Sequence, residues 1–230
     1  MVKERVFAVI GLGTFGFEVC SSLSKKGGKV LALDKSPELV DKVKDMVTQA
    51  LLIDATDEES LKSVPLNDVD VAIVAIGDNI EASILTTVLF RQKGVPYIVA
   101  RAVSKTHEHV LKQVGANEVV NIEIAEGQRI AAELISPSIL DRIPIDSSIS
   151  IAEILVPESF EERSLKDLDL RKNYRINVVT LKRTKTTVDE MGNPQKEEQI
   201  IFPGPDDMLQ SSDVIIVIGR NEDIEMLKEF

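Results

Sequence analysis

Short apolar runs alternate with stretches of helical period through the first half of the chain. Residues 5–10 (RVFAVI) are apolar on both alternating faces, which predicts a strand covered on both sides. Gly11-Leu12-Gly13-Thr14-Phe15-Gly16 follows at once. Residues 15–26 then set Phe15, Val19 and Leu23 four apart on one face, predicting a helix that ends at Gly27-Gly28. Residues 29–34 (KVLALD) predict a second strand ending on an acid. Residues 37–45 predict a helix with Pro37 at its start, where a missing N–H costs nothing. The alternation continues with strands at 49–53, 70–76, 97–101 and 118–121. Helices are expected at 58–64, 80–93 and 105–114, with Gly94 and Gly115 as stops. Strict strand–helix alternation implies parallel strands joined by right-handed crossovers. The expected fold class is α/β, a Rossmann-like doubly wound parallel sheet of six strands.

The pattern changes after residue 122. Residues 124–136 predict a helix leaving the sheet, with Ile124, Ile130, Leu134 and Ile135 apolar, and beyond Pro137 a shorter apolar stretch reaches Ile143. This crossover helix, 124–143, is expected to carry a dimer interface, the alternative being packing within one chain. Residues 144–148 read as a linker. Strands are expected at 149–156, 176–183, 198–202 and 214–219, with a helical piece at 165–168 and a turn or short helix at 205–209. A turn at 191–194 would form a hairpin tip. Asn221 is expected to cap a last helix reaching Phe230. The expected organisation is a sheet domain over 1–122, a crossover helix and linker over 123–145, and a small α+β C-terminal lobe over 146–230.

The glycine turn gives this layout a chemistry. Gly11 permits the tight exit from the strand, Gly13 lets the backbone approach a pyrophosphate, and Gly16 lets the helix pack close to the sheet. The N–H groups near Phe15 and the positive helix end face the phosphates. The second strand ends on Asp34, 21 residues after Gly13, where its carboxylate would accept from ribose hydroxyls and repel a 2′-phosphate. A doubly wound sheet puts further contacts at strand ends. Asp54, Ala55 and Thr56 follow the third strand, Gly77, Asp78 and Asn79 the fourth, and Arg101 ends the fifth. Asp54 is placed to receive an adenine amino group or, alternatively, to cap the helix after it. Arg101 is placed to neutralise a phosphate or a neighbour's carboxylate or, alternatively, to form a surface ion pair.

Composition narrows the classes. With 27 basic against 38 acidic residues the formal net charge is −11, which disfavours general nucleic-acid binding. One cysteine, Cys20, excludes an internal disulfide, and the chain enters its first strand without a signal-like segment, so a cytoplasmic location is expected. No apolar run approaches the ~18 residues of a membrane span. A dehydrogenase would need an acid or base beside a second substrate site. The two histidines, His107 and His109, read as partly exposed helix residues, and Cys20 as a small core side chain. The expectation is binding without turnover; an NAD-dependent oxidoreductase is the rival reading.

The runs AVIGLGTFG, VLALD, DATDEESL and VAIVAIGDNIEASILTT, with ARAVSKTHEHVLKQVGANEVVNIE, resemble the N-terminal domain of the RCK regulators of Trk/Ktr potassium-uptake systems. SIAEILVPESFEERSLKDLDL and SSDVIIVIGRNEDIEML resemble the small C-terminal lobe of the same proteins, in a single-copy KtrA-type layout. The resemblance implies a non-catalytic cytosolic subunit, peripheral at the inner membrane face. Dimers would assemble into an octameric ring under a TrkH/KtrB-like integral membrane protein that translocates potassium. It implies ATP, ADP or NAD(H) at Gly11, Gly13, Thr14, Phe15, Gly16, Asp34, Lys35, Asp54, Ala55, Thr56, Ala75, Ile76, Gly77 and Arg101. It also implies a cation-binding role for Glu123 at the γ-phosphate. Close relatives carry Arg where this chain has Thr14, so the choice among ATP, ADP and NAD stays open. Relatives bind cyclic di-AMP between C-lobes; the matching segment here, 170–179, has Arg175 where they have Gly. A subunit of a potassium-efflux channel or antiporter remains a second alternative.

Overall fold

A strand covered on both faces has to be apolar at every position, and the first sheet is built on that rule. The computed structural model describes residues 5–136, 138–188 and 194–229. The chain divides into two units, Met1–Gly127 and Gln128–Phe230. In the first, β1 (Val6–Ile10), β2 (Lys29–Asp34), β3 (Gln49–Leu52), β4 (Val71–Val74), β5 (Tyr97–Arg101) and β6 (Glu118–Val120) form one sheet in the order β3-β2-β1-β4-β5-β6. Every pairing is parallel. Ala8, Ile10, Leu31, Leu33, Ala72 and Val74 face one core, while Val9, Val30, Ala32 and Ile73 face another on the opposite side. The period of two thus sorts each strand between two helix layers.

The helices are α1 (Thr14–Lys25), α2 (Pro37–Val43), α3 (Glu58–Leu61), α4 (Ile80–Gln92) and α5 (Lys105–Gln113). Three start on side-chain caps that bond orphan N–H groups. Asp57 accepts from Glu59 and Ser60, Asn79 from Ala82, and Ser104 from His107. Asp57, not Asp54, is therefore the cap of the third helix. Phe90 of α4, wholly buried, fills one core. His107 is a correction: the residue is 3% exposed, on the inner face of α5, and only His109 faces outward. Leu111 shares that inner face of α5 four residues on and is also buried.

The 123–145 stretch divides where a single crossover element was expected. Helix α6 (Ile122–Ile135) stops two residues before Pro137, whose ring disfavours helical backbone ahead of it. Pro137 itself lies outside the described residues. Ile139–Pro144 is then a strand, β7, not the end of a helix and a linker; its β-branched Ile139 and Ile143 pair with Ile154 and Ile151. Ile130, Leu134 and Ile135 on α6 are exposed.

The second unit continues with β8 (Ile149–Leu155), α7 (Leu165–Leu168), α8 (Leu170–Asn173), β9 (Asn177–Val188), β10 (Pro194–Ile201), β11 (Val214–Arg220) and α9 (Asn221–Glu225). Its sheet runs β10-β9-β11-β8-β7, antiparallel throughout. One face is core: Ile154, Leu181, Ile215 and Val217 pack with Phe160, Leu168 and Ile224. Phe160 and Tyr174 meet edge to face at 5.3 Å. Arg183 donates from Nε and Nη2 to the wholly buried Asp213, at 2.7 and 2.6 Å. Asn221 is not the cap of the last helix. It is the first helical residue, after Arg220, and its side chain ties back to β8: Ser150 Oγ donates to Oδ1 at 2.6 Å and Nδ2 donates to the Ser147 carbonyl. Residues 191–193 of the expected hairpin tip, and Phe230, lie outside the described residues.

Candidate functional site

The strand order reverses between β1 and β4, and an open α/β sheet leaves a crevice at such a point. A cavity of about 770 Å³ lies there, walled by the residues that follow β1, β2, β3 and β4 and by Arg101 at the end of β5. The glycines build its floor. Gly11 sits at φ +89°, and a Cβ there would lie 3.0 Å from Ile76 Cγ1 and 3.2 Å from the Ala75 carbonyl carbon. A Cβ on Gly16 would come within 1.9 Å of the Gly11 carbonyl oxygen, so only glycine lets α1 begin against the turn. A Cβ on Gly13 would meet nothing within 4 Å, and Gly13 faces the cavity.

Gly13 is also the N-cap of α1, with no side-chain cap, and the first turn of that helix carries no acid. Helices α4 and α5 differ: each has a side-chain cap and an acid in its first turn. The orphan N–H groups and positive end of α1 are therefore left for an anion to satisfy.

Asp34 closes the next side. Its Oδ2 accepts from the Leu12 N–H at 2.6 Å and its Oδ1 from the Ser36 N–H at 2.8 Å. It thus braces the glycine turn while lining the cavity, and each oxygen keeps a lone pair for a ribose hydroxyl. Asp54 accepts from both the hydroxyl and the N–H of Thr56, at 2.6 and 2.9 Å. The Thr56 hydroxyl first, then its amide, and more weakly the Lys35 charge hold the Asp54 carboxyl below its ordinary range.

Arg101 closes the far side. Its guanidinium pairs with Glu123 at the start of α6 and lies 6.0 Å from the Phe15 ring centroid. A Cβ on Gly77 would stand 2.6 Å from Arg101 Nη1, so Gly77 is the gap into which the guanidinium fits. Glu123 is held below its ordinary range by its own backbone N–H first and by Arg101 next. Among the described residues no three His, Cys, Asp or Glu side chains gather as a metal site.

The cavity therefore brings together Gly11, Gly13, Asp34, Lys35, Asp54, Ala55, Thr56, Ala75, Ile76, Gly77 and Arg101. Thr14, Phe15, Gly16 and Glu123 are not in its wall. Gly16 packs against the turn, Phe15 and Glu123 contact Arg101, and Thr14 is exposed as the first residue of α1. Sequence reasoning passed over Ser36, Leu39, Glu81 and Leu85, which do line it. Ser36 and Leu39 follow the Asp34 strand end, and Glu81 and Leu85 lie one turn apart on α4, signals readable only once the crevice is placed.

Groups that could do covalent chemistry lie elsewhere. Cys20 is wholly buried and burial pushes its thiol up to about 11, so it is not a thiolate near neutrality. His107 Nδ1 accepts from the Val103 N–H. No described helix is long and apolar enough to cross a membrane.

Comparison with known proteins covers both units. Residues 7–122 match the TrkA-N domain and residues 151–230 the TrkA-C domain. The chain is 36% identical over 226 residues to the Ktr system potassium uptake protein C of Bacillus subtilis (strain 168), covering 98% of this chain and 97% of that one. Among solved structures, the GsuK RCK domain superposes with a TM-score of 0.63 at 13% identity, covering 99% of this chain and 48% of that one, a likeness of fold. The NAD(P)-binding domain of an exopolyphosphatase-related protein from Archaeoglobus fulgidus superposes with a TM-score of 0.50 at 28% identity, over 56% of this chain and 96% of that one.

Proposed function

The chain belongs to the family of TrkA-type regulatory subunits that join a TrkA-N to a TrkA-C domain, and from that premise we propose that it senses an adenine nucleotide and gates a potassium-uptake membrane protein. In this reading it regulates rather than catalyses. The observation that carries the ligand is the uncapped start of α1 opening on a cavity walled by Asp34 and Arg101. An uncapped helix end takes a phosphate, a carboxylate at the end of β2 takes a ribose, and the same carboxylate opposes a 2′-phosphate. The domain of the Archaeoglobus protein is named for NAD(P) binding, which fits a dinucleotide in this crevice as well as ATP or ADP.

The membrane partner is a potassium-translocating subunit, matching the uptake system that names its relative. The chain works as a dimer, and dimers close into a ring of eight. Ile130, Leu134 and Ile135, exposed along α6, supply the apolar surface that a dimer would bury. Nucleotides act by differential affinity: each shifts the assembly only by the difference in its binding to two shapes. Arg175 sits at φ +56°, the left-handed backbone that glycine adopts freely, and this glycine-like turn supports cyclic di-AMP as a second ligand of the C-terminal lobe.

A thermal-shift panel with ATP, ADP, NAD, NADH and cyclic di-AMP tests the ligand. Binding to the native state raises the melting temperature by mass action. No shift with any adenine nucleotide at millimolar level overturns the reading. Potassium uptake by cells lacking the gene tests the gating: it falls if the subunit serves uptake, and loss of efflux instead would assign it to an efflux system.

A further inference from the structure

Arg101 is a cavity residue whose charge is already engaged. Its guanidinium is held in place by the gap at Gly77 and by the Phe15 ring. Glu123 takes Nη2, with the Arg101 side chain 22% exposed and the Glu123 side chain 53%. Arg101 Nε is buried and has no hydrogen-bond partner among the described residues. A guanidinium presents five N–H donors in a rigid fork, so the group is positioned but under-used. The cavity wall carries four carboxylates, Asp34, Asp54, Asp78 and Glu81, against two cations, Lys35 and Arg101. Lys35 follows β2, so Arg101 is the cation at the ends of β4 and β5, and Glu123 cancels it from outside the wall.

Resting on the nucleotide reading above, we propose that Glu123 sets the phosphate preference of the cavity by competing with the ligand for Arg101. A phosphate reaching the ends of β4 and β5 has to displace the Glu123 carboxylate or lie beside it, and like charges oppose the second arrangement. The nucleoside part of a ligand does not meet this competition. Glu123 is thus a positioning residue: it acts on ligand only through the guanidinium it holds. Because it lies in the first turn of α6, a phosphate that takes Arg101 also releases the Glu123 side chain on that helix.

The test is calorimetric titration of the full chain in EDTA with adenosine, AMP, ADP and ATP, using wild type, Glu123→Gln, Arg101→Gln and the double variant. The expected result is that Glu123→Gln binds at least one phosphorylated ligand roughly two- to fivefold more tightly, with adenosine unchanged. Arg101→Gln should weaken the same ligand, and adding Glu123→Gln to it should then gain nothing. If Arg101→Gln does not fold, the adenosine-to-ATP series in Glu123→Gln still decides, because Glu123 is exposed and its amide keeps the shape. Unchanged or weaker phosphate binding in Glu123→Gln overturns the proposal, as does an equal gain for adenosine. A loss confined to ATP with Mg²⁺ present, and no effect in EDTA, overturns it in favour of a cation role for Glu123. If wild type binds none of the ligands, the nucleotide reading itself falls and this inference with it.

Discussion

The two units solve the problem of a sheet face in opposite ways. The parallel sheet buries both faces, so its strands are apolar between their end residues and recognition is pushed to the strand ends. The antiparallel sheet buries one face, and along β8 and β11 buried residues alternate with partly exposed ones that include Ile151, Ile216 and Ile218. Apolar side chains on both sides of a sheet with one core leave a surface that solvent covers poorly. Stability and ligand binding are therefore separable in the first unit: the core is in the strands, the chemistry in the turns. The second unit adds polar ties inside the lobe, such as Arg183 to the wholly buried Asp213.

Substitutions can break or sharpen that contrast. Phe90→Ala removes the largest wholly buried side chain of the first core and should cost about 3–5 kcal/mol, read by denaturant unfolding. The loss should appear as weakened hydrogen-exchange protection in β4 and β5. Asp213→Ala leaves the Arg183 guanidinium without its buried partner and should cost about 3 kcal/mol, seen as lost protection in β9 and β11. Asn221→Ala removes the tie between α9 and β8 and should cost about 1 kcal/mol without moving nucleotide affinity. The smallest effect is a pH dependence. Burial holds the His107 imidazole below its ordinary range, so the folded chain binds fewer protons there than the unfolded chain. That contribution is complete above the unfolded value of 6.5 and is lost as pH falls through the window beneath it. Melting temperature should drop between pH 7 and pH 5, and drop less in His107→Leu. An equal drop in both would remove His107 from the account.

The first unit was legible because its signals are local. Each strand is a short apolar run, and Gly94 and Gly115, both in left-handed backbone, mark the ends of α4 and α5. Of the cavity residues, Gly11, Gly13, Asp34, Asp54, Ala55, Thr56, Gly77 and Arg101 were anticipated from the glycine motif and from strand-end position, and Lys35, Ala75 and Ile76 from the family resemblance. Side-chain direction was not legible: the Phe15 ring lies near Arg101, and Glu123 pairs with Arg101 from α6. In the second unit the signals are not local. Ile139–Pro144 reads equally as helix tail or strand until β8 is there to pair with it. Asn221 looks like a cap by type, yet its side chain is drawn to Ser150, 71 residues earlier. His107 looked exposed because its ring is polar, although Leu111 four residues on lies on the same buried face.

The Asp34 bridge has a consequence for how a ligand is felt. By accepting from Leu12 on one oxygen and Ser36 on the other, it pins the glycine turn before anything binds. A loop already in its bound shape loses little freedom when occupied, so association there is not taxed by ordering. The same rigidity makes the turn a poor transmitter, since a part that does not move cannot report. Whatever changes on occupancy has to change elsewhere, leaving the turn as the fixed seat against which other parts of the cavity adjust.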